Sequence, residues 1–555
     1  MANGRSLPIL PVDGYYNLTF DYFCPLLITI QLYMKKTIIL LAALALSCNS
    51  SQKTVKEDTS SASVQEVVSP TPYAESITES ELKEHLYTYA SDEFEGRETG
   101  QPGQKKAIAY LKAQYEKLGI PAAKSDGNYF QDVPLEISKL PEGNLTFNGQ
   151  EFNNGEHVLT FASATATFNE LVYVGYGIED EGYSDYKDVD VDGKLILLKA
   201  GEPKNTNGTF TITGTMEKSI WSNMSESLGK RVELAMEKGA AGVLYYDAEN
   251  YSRFKRRFDY MKDNDSGRME IAEKENSKFY SFFIDQELAQ TLLPSITTQD
   301  SSQIIKAAVS LNFKSANDNI TSENVAAMLK GSEKPNEYLI ISSHLDHIGI
   351  TGDNEINNGA DDDGSGTVAL LEIAEAFKNA ADAGNGPKRS IVFLHVTGEE
   401  KGLLGSQYYT DVDPIFPLSQ TVADLNIDMI GRIDPKREGE RNYVYLIGSD
   451  KLSTELHELS EEVNKKYTNI ELDYTYNDEN DPNRFYYRSD HYNFAKNNIP
   501  IIFYFNGTHD DYHRPSDTPD KINYDLLENR ARLVFYTAWE VANRSERIVA
   551  DKASK

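Results

Sequence analysis

The sequence predicts an α/β fold: a mostly parallel central sheet with helices on both faces, plus an inserted, β-rich domain. Three observations predict it. From residue 321 onward, apolar strand-like runs alternate with helical ones. The stretch 131–310 has shorter strand-like runs of its own, two of them closed by glycine. Several late strands end in Asp, Glu or His, and in parallel α/β sheets the chemistry sits at the carboxyl ends of the strands.

The chain has 555 residues, 40% hydrophobic and 25% charged, enough for several packed domains. Its net charge of −31 disfavours nucleic acid and anionic membrane surfaces, which would repel it. Two cysteines, Cys24 and Cys48, cannot build a disulfide framework or a Cys-rich zinc site.

Met34-Lys35-Lys36, an apolar run from Thr37 to Leu46, and Ser47-Cys48 form a secretory signal too short to span a membrane. A cysteine at the cut resembles a bacterial lipoprotein signal. Residues 1–47 are then an upstream extension with the signal. Cys48 would carry the lipid, and 48–74 would be a flexible tether. The expected product is exported and lipid-anchored in the cell envelope, at the periplasm or outer-membrane surface.

The folded part is expected as 75–130 with 311–546, interrupted by 131–310, with 547–555 a C-terminal tail. Helices are expected at Glu79–Ala90 and at Gln104–Leu118, the latter stopped by Gly119. The insertion contributes strands at 171–174, 194–199 and 241–246, and a helix at 231–238. Strands then follow at 337–342, 390–396, 420–428, 441–447 and 499–505, with a helix at 367–380.

The chemistry gathers at those strand ends. The first gives His344-Leu345-Asp346-His347, and the next loop Gly359-Ala360-Asp361-Asp362-Asp363-Gly364-Ser365-Gly366. Later come Gly398-Glu399-Glu400, Asn426-Ile427-Asp428 and Tyr512-His513-Arg514-Pro515. Carboxylates crowded without nearby lysine or arginine repel one another, so the cluster demands a cation. Imidazole with carboxylate and no thiolate suits Zn²⁺, with Mn²⁺ or Co²⁺ as alternatives. Two histidines and three carboxylates are too many for one open tetrahedral ion, and fit two ions sharing a carboxylate.

Taken in order, these five motifs resemble the co-catalytic di-zinc aminopeptidases, the family related to glutamate carboxypeptidases, glutaminyl cyclases and the transferrin receptor. Ser91-Asp92-Glu93-Phe94-Glu95-Gly96-Arg97 resembles a stretch near the start of many bacterial members. Tyr183-Ser184-Asp185-Tyr186 before Asp192-Gly193-Lys194 resembles a protease-associated domain. The resemblance implies two zinc ions, with Asp362 bridging, His344 and Asp428 on one ion, and Glu400 and His513 on the other. It implies that Asp346 orients His344 through the ring's far nitrogen, that Glu399 is the general base and later acid, and that Tyr486 stabilises the oxyanion. His395 reads as a core residue, His85 and His457 as surface residues, and His157 as a loop residue without neighbours. His347, His491 and His509 sit beside motifs, as contacts to substrate or to the ligands.

The expected function is a zinc-dependent exopeptidase, an aminopeptidase that removes N-terminal residues of peptides by attack of a metal-bridging hydroxide. Three other readings stay open. A carboxypeptidase or dipeptidase would use Arg432, Arg484, Arg488 or Arg514 to hold a substrate carboxylate. A glutaminyl cyclase would use one zinc. A non-catalytic surface receptor would be a dead peptidase, against which stands the full set of ligands with Glu399. Oligomeric state is not legible in the sequence.

Overall fold

The computed structural model describes residues 68–553, apart from 265–266, 273–278 and 353. The signal, Cys48 and most of the tether fall outside the described residues.

A nine-stranded sheet organises the chain: β1 (Phe130–Ser138), β2 (Arg268–Ile271), β3 (Asp318–Leu329), β4 (Lys334–His344), β5 (Arg389–Val396), β6 (Thr421–Ile427), β7 (Tyr443–Ile447), β8 (Glu471–Asp473) and β9 (Ile501–Phe505). Their spatial order is β2-β1-β3-β5-β4-β6-β9-β7-β8. Strands β5, β4, β6 and β9 run parallel at the centre. The pairs β1–β2, β1–β3, β3–β5 and β7–β9 are antiparallel. The sheet is therefore mixed, not mostly parallel. One cause is visible in the chain: only residues 330–333 join β3 to β4, too few for a parallel crossover, which needs a dozen or more.

Alternation along the central strands feeds two cores. Leu339 and Ile341 of β4, with Ile391 and Phe393 of β5, face one side of the sheet. Ile340, Val392, Leu394 and Val396 face the other. The first side is covered by four long helices, α1 (Glu79–Tyr89), α2 (Pro102–Leu118), α3 (Gly366–Asp382) and α4 (Tyr524–Asn543). The opposite side is covered largely by short helical turns at 404–412 and 491–495. Helix α3 is apolar on nearly all faces because it lies between the sheet and α1 and α4. Each of its buried side chains of Val, Leu, Ile or Phe size adds about 1.5–3 kcal/mol of transfer free energy. Helix α1 starts where the Thr78 side chain accepts the Glu81 amide. Helix α2 (Pro102–Leu118) starts on a proline and stops at Gly119, whose φ is +69°.

A second, eight-stranded sheet is built from residues 142–314, with apolar clusters of its own. Its helices are Met224–Glu237, Tyr251–Asn264 and Gln286–Leu292. Three boundaries differ from the sequence expectation. Strand β2 and all of β1 but Phe130 lie inside 131–310 but belong to the first sheet, because β1 pairs with β3 and β2 pairs with β1. The tether ends earlier than residue 74: Ala74 and Ile77 are buried, and Tyr73 stacks on Trp539. The C-terminal stretch from 547 is not a loose tail, since Ile548 is buried and the Lys552 amide bonds the Leu452 carbonyl.

Candidate metal centre

Five segments converge at the carboxyl ends of the central strands. His344 ends β4, and Asp428 follows β6. Glu399 and Glu400 follow β5 after Gly398, whose φ of +67° turns the chain. Asp362 lies in the loop that opens α3, and His513 follows β9.

His344 Nε2 lies 3.1 Å from Asp362 and 3.6 Å from Asp428. His513 Nε2 lies 3.0 Å from Asp362 and 3.1 Å from Glu400. Two metal-competent groups share Asp362: His344, Asp362 and Asp428, and His347, Asp362 and Glu400. Several buried atoms at the centre have no hydrogen-bond partner: His344 Nε2, both ring nitrogens of His347, Asp362 Oδ2 and Glu400 Oε1. Unpaired donor atoms of this kind are costly to bury, and they fit a site built for cations. The electrostatics agree. Burial pulls His344 down, but Asp428, Glu399 and Asp362 outweigh it and hold it well above its ordinary pKa. Burial likewise opposes His513, yet Asp362 and Glu400 push it up to about 10. Burial, with Asp428 and Glu400 nearby, lifts Glu399 well above the usual carboxylate range, while the charge of His344 opposes the rise.

The Asp361-Asp362-Asp363 triplet divides its labour. Asp363 turns back and accepts the amides of His344, Gly366 and Met429. Asp361 accepts the Gly431 amide and the side chains of Ser365, Asn506 and His509. Only Asp362 is left facing both histidines, and its amide is held by Asp517. Ser489 bonds Asp428 Oδ2 and accepts from Asn426, fixing that carboxylate's direction.

Arg97 ties the loops together. Residues 95–97 all have positive φ, and a Cβ on Gly96 would sit 2.4 Å from the Asn357 carbonyl, so glycine is required there. The turn buries the Arg97 guanidinium. It donates to the carbonyls of Leu345 (3.2 Å), Tyr89 (3.2 Å), Asn358 (2.7 Å) and Gly359 (2.9 Å). One side chain thus braces both the His344 segment and the loop that leads to Asp362.

Two expected roles are revised by the geometry. The Asp346 carboxylate is 4.0 Å from His344 Nδ1, which instead lies 3.1 Å from the Asp346 main-chain carbonyl. The carboxylate is spent on the Thr99 hydroxyl and the Glu399 amide, so Asp346 holds the Glu399 backbone rather than the histidine ring. Tyr486 packs against Tyr487, Tyr492 and Lys451, with Tyr487, Tyr492 and Asp450 as its electrostatic neighbours, away from the carboxylates. Tyr512 occupies the pocket wall instead, stacked on His513. Burial, Asp362 and Glu400 raise its phenol well above the ordinary value. The sequence places Tyr512 in the motif beside His513, but the oxyanion role was expected of Tyr486 and none of Tyr512.

The other histidines are placed too. His395 is buried between Tyr115 and Ser343 as a core residue. His85 is half-buried, bonded to Tyr110 and near Glu372. His457 bonds Ser449. His157 is not isolated: it pairs with Asp285 at 2.8 Å across the insertion. His491 bonds the Tyr486 carbonyl, and His509 reaches Asp361. The pocket over the centre is lined by Glu399, Asp428, Phe485, Arg488, Phe503 and Phe505, among others.

Residues 324–538 match Peptidase family M28. The matched segment holds every residue of the metal cluster. The probable leucine aminopeptidase 2 of Aspergillus oryzae is 25% identical over 382 residues, 66% of this chain and 62% of that protein. The chain thus spans under two thirds of the length of that curated relative. A probable glutamate carboxypeptidase of Arabidopsis thaliana is 34% identical over 106 residues, 19% of this chain and 14% of that protein. Among solved structures, the aminopeptidase from Aneurinibacillus sp. strain AM-1 aligns with a TM-score of 0.44 at 19% identity, over 88% of this chain and 99% of that chain.

Proposed function

We propose that this chain is a zinc-dependent exopeptidase, an aminopeptidase acting on the N-terminal residues of peptides, with two zinc ions per chain. One observation carries the reading: two buried His/Asp/Glu groups share Asp362, beside a further carboxylate, Glu399, that lines the pocket. The M28 match and the leucine aminopeptidase relative support it. His344, Asp362 and Asp428 would hold one ion, and Glu400 and His513, with Asp362, the other.

Zinc, when bound, supplies Lewis acidity toward a carbonyl and lowers the pKa of water. The rest is work for this chain's own groups. Glu399 is a base whose proton affinity is raised by burial, so it can take a proton from water and return it to the leaving amine. Its backbone is anchored through its amide to Asp346. Phe485, Phe503, Phe505 and Met429 give the pocket an apolar wall for a side chain. Asp362, Asp428 and Glu399 line the same pocket, the first two as expected zinc ligands.

One observation favours a second reading. Arg432 is tied to Asp511, but Arg488 lines the pocket with its guanidinium over Phe485. A cation there could anchor a substrate carboxylate, as a dipeptidase or carboxypeptidase requires.

The test is metal content of the purified chain beside turnover of aminoacyl-p-nitroanilides, with N-blocked and free-amine dipeptides in parallel. About two zinc ions with chelator-sensitive release of p-nitroaniline is the expected result. Release confined to dipeptides, and abolished in Arg488→Met, would shift the reading to the carboxylate-anchored class. Protein without metal and without turnover would overturn both. Export and lipidation at Cys48 belong to the same proposal, and mass spectrometry of the mature N-terminal peptide tests them.

A further inference from the structure

We infer that His347 is a third imidazole donor to the metal pair, on the Glu400–His513 side, so that the two metal positions have unequal donor sets. The inference rests on the metal-site reading above. His347 lies three residues beyond His344, and its amide donates to the Arg97 carbonyl at 3.3 Å. Its side chain is fully buried, with neither ring nitrogen in a hydrogen bond. The Nδ1 atom lies 2.8 Å from Glu400 Oε1 and 3.7 Å from Asp362 Oδ2, and both oxygens are unpartnered too.

A histidine buried only for packing does not look like this. His395, also fully buried, has a partner at each nitrogen, Tyr115 and Ser343. Leaving a buried polar group unpaired costs about 1–3 kcal/mol. Three groups that could pair with one another, yet point unpaired at one spot, share a missing cation more economically than three separate penalties. The loop also clears room for the ring. A Cβ on Gly359 would come within 2.6 Å of His347 Cγ and Cδ2, so the first glycine of the Asp-rich loop gives way to this imidazole.

The consequence is asymmetry. One position is offered His344, Asp362 and Asp428, and the other His347, His513, Glu400 and Asp362. Zinc favours the set with two imidazoles and four donors, so that position fills first and releases its ion last. The poorer set, on the His344 side, is the one left with an open coordination place.

The experiment uses the full chain loaded with cobalt(II), in which each coordinated imidazole gives one strongly shifted, exchangeable N–H proton resonance. Three such signals are expected in the unsubstituted protein and two in His347→Gln. Zinc titration should give two Kd values, the tighter weakened at least tenfold in His347→Gln. Losing a group that only orients a ligand already costs about 10–100-fold in metal affinity. Two signals in the unsubstituted protein, or a folded His347→Gln with an unchanged tight Kd, would overturn the inference, and two bound ions would then leave the metal reading standing. Protein that binds no ion would overturn both. Should His347→Gln fail to fold, the signal count in the unsubstituted protein decides alone.

Discussion

Arg97→Met tests whether one buried side chain holds the two halves of the site in register. The substitution keeps most of the apolar volume and removes the guanidinium. Its four acceptors are affected unequally. The Leu345 carbonyl keeps the Tyr89 hydroxyl at 2.8 Å, and the Gly359 carbonyl keeps the Gly364 amide at 3.2 Å. The carbonyls of Tyr89 and Asn358 lose the donor they have from Arg97. At about 1–3 kcal/mol for each carbonyl left unpaired, with Asn358 near solvent and at the low end, this comes to about 3 kcal/mol. The guanidinium also sits 4.7 Å from the centre of the Tyr89 ring, and its loss adds about 1 kcal/mol. The expected destabilisation is about 3–5 kcal/mol, with zinc affinity falling as well because the His344 segment and the Asp362 loop lose their common brace. Urea unfolding followed by tryptophan fluorescence measures it. The chain has two tryptophans: Trp539 stacks on Phe377 in the main core, and Trp221 lies in the inserted unit. In a Trp221→Phe background the signal reports the main core alone. Arg97→Lys, which keeps the charge but not the fork, should fall between. A shift below about 1 kcal/mol with unchanged zinc content would refute the brace.

Glu399→Gln should retain both ions, since the expected ligands are untouched, while kcat falls about 10²–10⁴-fold; equal turnover at equal zinc content would remove Glu399 as the base. Acid sensitivity has a separate source in the core. Burial holds His395 down at about 3, against about 6.5 in the unfolded chain. The unfolded state therefore binds the extra proton, and His395's share of stability is complete above pH 6.5 and lost as pH falls toward 3. The slope is about 1.4 kcal/mol per pH unit. Between pH 6.5 and 5, His395→Gln should lose about 2 kcal/mol less than the parent chain; parallel pH–stability curves would contradict this.

The secondary elements were largely legible because the signals are local. Thr78 and Gly119 mark helix ends through their own side chain and φ, and the alternation of β4 and β5 records two apolar faces. What the sequence reading missed in the fold was long-range. Strand β2 is short and half-buried, and its membership in the first sheet rests on pairing with β1, some 130 residues earlier. The docking of 547–552 depends on partners at Ser419 and Leu452 that no local pattern announces.

The same division runs through the site. The kinds of donor, and their position at strand ends, were readable in the chain because carboxylate and imidazole chemistry belongs to the residue and strand ends are local features. Which donor faces the cluster was not. Asp361 and Asp363 have the same side chain as Asp362, but backbone amides from other segments claim theirs. Asp346 is drawn to Thr99 and the Glu399 amide rather than to His344. His347 meets Glu400, Tyr512 lines the pocket, and Tyr486 packs behind it, because Arg97, Gly359 and β9 set where those loops lie. A side chain's chemistry travels with its residue, whereas its direction in a loop is set by hydrogen bonds and steric room supplied by segments far away in the chain, and those exist only once the fold has closed.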